Sequence, residues 1–93
     1  MSKYELMYIV STDLEEAEFE AVQARINAIL ESNVTIDNTD HIGRKRFAYE
    51  IDHKTEGDYT VVNFTAEPSA IETINNEFLI VEGLVRHLIV LDE

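Results

Sequence analysis

Residues 34–51 read VTIDNTDHIGRKRFAYEI, and the reading of that stretch decides the fold. Val34, Ile36, Ile42, Phe47, Tyr49 and Ile51 suggest extended chain, interrupted by polar residues and by Gly43. We read it as one long, kinked strand, with Gly43 as its bulge or bend, because glycine inside a strand pattern commonly marks one. The same stretch holds a concentration of charge. Arg44, Lys45 and Arg46 are consecutive cations in a chain of formal net charge −12.

Toward the N-terminus, residues 3–10 (KYELMYIV) are aromatic and β-branched, with Tyr4, Leu6, Tyr8 and Val10 on one parity, which is the alternation of a strand. Its other face, Glu5, Met7 and Ile9, is also partly apolar, as in a central strand. Thr12-Asp-Leu-Glu15 has the Ser/Thr-x-x-Glu form of a capping box, and the acidic residues around it suit a helix N-terminus. Phe19, Val22, Ile26, Ile29 and Leu30 then form one apolar stripe. The helix is expected to end at Ser32-Asn33, with Asn33 in a left-handed turn.

Toward the C-terminus, residues 53–58 read as a polar loop with Gly57, and residues 59–66 (YTVVNFTA) as a strand completing a hairpin. Pro68 is placed for a helix start, with Ile71, Ile74, Phe78 and Leu79 as its apolar stripe. Gly83 breaks that pattern, and residues 84–91 (LVRHLIVL) form a last strand. The order is β-α-β-β-α-β in a single domain spanning 1–93.

That order predicts an α+β, ferredoxin-like fold: a four-stranded antiparallel sheet of order 4-1-3-2 with two helices on one face. The opposite face has no helices. Met7 and Ile9, with Val61, Val85 and Ile89, are expected there as an apolar patch suited to a protein partner.

Composition removes several function classes. The chain of 93 residues has no cysteine, which excludes a disulfide framework, a thiolate nucleophile and the usual structural zinc sites. His41, His53 and His87 lack metal-ligand spacing, and no phosphate-cradling glycine loop or nucleophile elbow is present. The acidic residues from Asp13 to Glu20 are more simply the solvated side of a helix than a catalytic pair. The first ten residues lack a cleavage signal, and no apolar run reaches membrane-spanning length, so a cytoplasmic protein is expected. Nineteen acidic residues against seven Lys and Arg argue against an independent nucleic-acid binder. The charge is segregated, however, with four of the seven cations between 44 and 54.

The segment Gly43-Arg-Lys-Arg-Phe-Ala-Tyr49 with Ile51 resembles a motif of the bacterial small-subunit (30S) ribosomal protein S6 family: glycine, basic residues, an apolar residue, Ala-Tyr and then Ile. The resemblance extends to the opening Lys3-Tyr4-Glu5, the loop ending at Gly57, the helix near Pro68 and the last strand at Val85-Arg86-His87. Glu50 departs from it, since the family usually has proline there. The chain also ends at Glu93, where relatives commonly continue into an acidic tail. The resemblance implies a structural, non-catalytic component of the small ribosomal subunit. Such a protein binds the central domain of 16S ribosomal RNA during assembly, paired with the small basic ribosomal protein S18, and has no cofactor, membrane or small-molecule substrate.

The expected RNA-binding residues are Lys3, Arg44, Lys45, Arg46, Arg86 and His87. Arg44 and Arg46, two apart on a strand, project from one face and Lys45 from the other. The expected partner-binding residues are Met7, Ile9, Tyr49, Val61, Val85 and Ile89. Read without the resemblance, the basic run could be an edge strand charged against aggregation. The rival function is a ferredoxin-like regulatory or oligomerisation domain using the open sheet face. An acylphosphatase-like enzyme would need a glycine-bearing anion loop after the first strand, where this chain has Ser11-Thr12-Asp13.

Overall fold

The computed structural model describes the backbone of residues 1–51 and 54–92, and their side chains outside positions 47–55. The elements are β1 (Ser2–Ser11), α1 (Glu16–Asn33), β2 (Thr35–Ile51), β3 (Lys54–Ala66), α2 (Pro68–Phe78) and β4 (Leu84–Leu91). All strand pairs are antiparallel and the sheet order is β2-β3-β1-β4. This is the expected 4-1-3-2 order read from the other edge.

One core explains the layering. Leu6, Tyr8 and Val10 of β1 join Val62, Phe64 and Ala66 of β3, Ile26 and Leu30 of α1, and Ile74 and Phe78 of α2 in a single buried cluster. Alternate residues of a strand face opposite sides, so this cluster fixes one face of the sheet as the face under both helices. Phe19, Val22 and Ile29 pack half-buried at the margin of α1's stripe.

β2 is the single long strand expected. Its register with β3 shifts at three places, Ile36/Asn38, His41/Gly43 and Arg46/Ile51. Gly43 sits at the second with φ +99, and open space surrounds the position of a side chain there. Its requirement is therefore conformational, since a positive φ strains any residue with a Cβ. Gly83, with φ +91, also has a packing role: an added Cβ would lie 2.9 Å from Leu14 Cδ1 and Val22 Cγ2. The turn into β4 thus passes directly against α1.

Four local expectations are corrected. The capping box does not form: α1 begins at Glu16 with Glu15 as its N-cap and no side-chain capping hydrogen bond, because the Thr12 hydroxyl instead donates to Glu56 Oε1 at 3.4 Å. Asn33 makes no left-handed turn. It is the last helical residue, its side-chain amide donates to Ile29 O at 2.7 Å, and Val34 enters the extended region directly. The segment 54–58 is strand and not loop, since Gly57 and Asp58 pair with both β1 and β2. Leu79 leaves the α2 stripe and is 75% exposed, because the helix ends at Phe78.

Candidate nucleic-acid and protein interface

The basic run lies on the outer part of β2, an edge strand, near the tip of the β2–β3 hairpin. Arg44 stands opposite Asp58, Lys45 opposite Gly57 and Arg46 opposite Glu56, and all three cations are exposed. Arg44 joins Thr12, Leu14, Glu16, Phe19 and Asp58 around a shallow pocket on the helix side. Strand alternation puts Arg46 on that side too and Lys45 on the open face.

Two carboxylates of β3 reach across to side chains of β2 at this end of the sheet. Asp58 is buried, and its Oδ1 lies 2.7 Å from His41 Nε2, which satisfies a carboxylate that would otherwise be costly to bury. Glu56 Oε1 lies 3.8 Å from Arg44 Nη1, with the two side chains 41% and 66% exposed. An ion pair that open is worth ~0–1 kcal/mol, so Arg44 remains accessible to a stronger anion.

Arg86 extends the basic region across the open face. It is opposite Ile9 of β1, which is opposite Tyr59 of β3, which is opposite Gly43 of β2. Arg86 and Lys45 therefore share a face and an end of the sheet, with Arg86 about 14 Å from Gly43 at three strand intervals and Lys45 two residues further along β2. Lys3 is not part of this group. It pairs with Thr65, at the far end of β1.

His87 is elsewhere. It is opposite Tyr8, under α2, with Nε2 2.9 Å from Asn75 Oδ1 and its ring edge-on to Phe78 at 5.1 Å. Burial pushes its pKa below the usual histidine value. The expectation of an RNA-facing His87 is corrected on this geometry: its ring is engaged with α2.

The apolar patch of the open face is present with a changed membership. Met7 pairs directly with Val61 and with Leu88, and Ile9 lies two residues along, only 4% exposed between its neighbours. Val85 sits at the β1–β4 register shift between Ile9 and Val10. Ile89 does not belong to the patch, because it is opposite Leu6 and packs against the core under the helices. Leu88 and Val90, 55% and 44% exposed, take its place. The sequence held a signal for this: an arginine is more easily left open than a histidine, so Arg86 rather than His87 marks the exposed parity of β4. The expected contribution of Tyr49 falls outside the described residues.

Among the described residues no group of His, Asp and Glu could hold a metal ion, and no helix is long and apolar enough to cross a membrane.

Comparison with known proteins gives one consistent family. A family model described as Ribosomal protein S6 matches residues 3–91. The small ribosomal subunit protein bS6 of Clostridium perfringens is 37% identical over 94 residues, covering 100% of this chain and 99% of that protein. Its counterpart in Symbiobacterium thermophilum is 42% identical over 91 residues, covering 97% and 96%. The crystal structure of the 30S ribosomal protein S6 from Thermotoga maritima superposes with a TM-score of 0.90 at 29% identity, covering 98% of this chain and 87% of that one. The C-terminal domain of MgtC from Mycobacterium tuberculosis, at a TM-score of 0.61 and 14% identity, shares the fold alone.

Proposed function

Because the chain belongs to the ribosomal protein S6 family, it is a structural component of the small ribosomal subunit, and we propose that it binds the central domain of 16S ribosomal RNA together with the small basic ribosomal protein S18 during assembly. The observation that carries this reading is the exposed basic rim, Arg44, Lys45 and Arg46, on a molecule of net charge −12. Phosphate contacts supply much of the affinity of an RNA-binding protein and position it without reading bases. The rim, with Arg86 on the same end of the open face, is the part of this surface suited to them. Lys3 makes a separate contact.

Acidity elsewhere favours a basic partner. Opposite potentials steer two proteins together and reject wrong partners, and the pair then approaches RNA with less repulsion than this chain alone. The open-face patch of Met7, Val61, Leu88 and Val90, with Ile9 filling the space between its neighbours and Val85 at its margin, is the docking surface we assign to that partner. Apolar area at the centre of an interface with charge at its rim is the usual anatomy of such contacts.

A tagged form of the protein, expressed in a bacterium and recovered under mild salt, is expected to bring down S18 and 16S ribosomal RNA. Recovery of no ribosomal component would contradict the proposal. A stable homodimer whose melting temperature responds to a metabolite would favour the regulatory-domain reading instead.

A further inference from the structure

The hairpin's helix-side face alternates charge across its strands. Arg44 faces Asp58 and Arg46 faces Glu56, so a row of two cations on β2 lies against a row of two carboxylates on β3. The carboxylates are not equivalent. Asp58 is committed to His41 at 2.7 Å and is buried. Glu56 is half-exposed and lies diagonally against Arg44, with Oε1 3.8 Å from Arg44 Nη1. The same oxygen accepts the Thr12 hydroxyl at 3.4 Å, which draws it toward the β1–α1 turn and the pocket that Arg44 lines with Glu16 and Asp58.

We propose that Glu56 is a built-in competitor for phosphate: its carboxylate occupies Arg44 and lowers the isolated protein's affinity for any polyphosphate chain, leaving Lys45 as the cation of first contact. A phosphate approaching Arg44 must displace Glu56 and then sit near a second carboxylate, Asp58. One approaching Lys45 meets fewer negative groups, since Lys45 stands opposite Gly57 on the other face. The Arg44–Glu56 contact is long and open to water, so it attenuates binding and does not abolish it. The effect is to make RNA affinity conditional. A chain that holds RNA weakly alone acquires useful affinity only when a partner adds contacts, which limits binding to wrong RNA. The inference rests on the rim being a phosphate-binding surface, and its ribosomal role follows from the preceding proposal.

A uniform single-stranded oligouridylate, labelled for fluorescence anisotropy, isolates the electrostatic effect from any ribosomal specificity. At about 50 mM salt, Glu56→Gln is expected to tighten binding about five-fold, because one carboxylate near the bound phosphate has been removed. Its log affinity should also fall more steeply with log salt, by up to about one further released ion. Arg44→Ala should change the wild-type affinity little, but weaken the Glu56→Gln protein about five-fold. Unfolding midpoints of all four proteins confirm that each is folded. Unchanged or weaker binding by Glu56→Gln, no detectable binding by it at low salt, or an equal effect of Arg44→Ala in both backgrounds would each overturn the proposal. If the oligouridylate results hold while a central-domain RNA fragment with S18 is not bound, the ribosomal assignment fails and the role of Glu56 stands.

Discussion

His87 Nε2 stands 2.9 Å from Asn75 Oδ1, so the edge strand β4 is tied to α2 through a ring that also meets Phe78 edge-on. Burial holds the His87 pKa below its ordinary value of 6.5. The unfolded chain therefore binds this proton more readily, and stability falls as pH drops through the interval just below 6.5 down to the folded-state pKa. His87→Gln removes that dependence. Urea midpoints at several pH values between about 7.5 and 5 should fall more in the wild type than in His87→Gln. Equal slopes would mean that the ring is not excluded from water.

Tyr8 behaves oppositely at the alkaline end. The residue is 2% exposed, and burial pushes its pKa above 10.0, opposed by the Thr60 hydroxyl and helped by the negative charge of Asp58. Folding thus favours the neutral phenol, and stability falls as pH rises above about 10, where the unfolded chain releases its proton first. Unfolding monitored upward from pH 9 should show that loss, and Tyr8→Phe should reduce it.

The two positive-φ glycines should respond differently to alanine. Gly43→Ala meets no neighbour within 4 Å and is expected to lose about 1 kcal/mol from backbone strain alone. Gly83→Ala adds a 2.9 Å approach to Leu14 and Val22, so a loss of about 2–4 kcal/mol is expected. Chemical unfolding of both variants checks the order. A Gly43 variant as damaged as the Gly83 variant would mean that the bulge is under tighter restraint than its open surroundings indicate.

Neighbouring residues on β4 give a direct test of facing. Leu88→Lys should alter stability by no more than about 0.5 kcal/mol, whereas Ile89→Lys, which pushes an ammonium toward Leu6, should lose at least about 2 kcal/mol. If S18 docks on the open face, Leu88→Lys should also weaken that association with the fold intact. Equal stability of the two variants would contradict the register.

Much of this architecture was legible because its signals are local. The parity of Tyr4, Leu6, Tyr8 and Val10, the stripe of α1, and Gly43 within the long strand all depend on neighbours in sequence, and together they forced the β-α-β-β-α-β order. The misreadings involve partners far along the chain. Thr12 looked like a helix cap until Glu56, forty-four residues away, took its hydroxyl. Gly57 and Asp58 have poor strand propensity, yet pairing with Lys45 and Arg44 keeps them in β3, as tertiary context often does. For β4 the two faces carry nearly equal apolar content, so periodicity alone left its facing open. Pairing of Ile89 with Leu6 decided it. The cations of the rim were visible as a run, but Glu56 beside Arg44 was not.

The most direct measurement is the affinity for a central-domain fragment of 16S ribosomal RNA, with and without S18, of the wild type and a Lys45→Glu/Arg46→Glu variant. The account predicts weak binding by the wild type alone and much tighter binding with S18. It also predicts a loss of at least tenfold in the charge-reversed variant at unchanged thermal stability, as expected when phosphate-contacting cations become repulsive. Equal affinity of the variant and the wild type in the presence of S18 would contradict it.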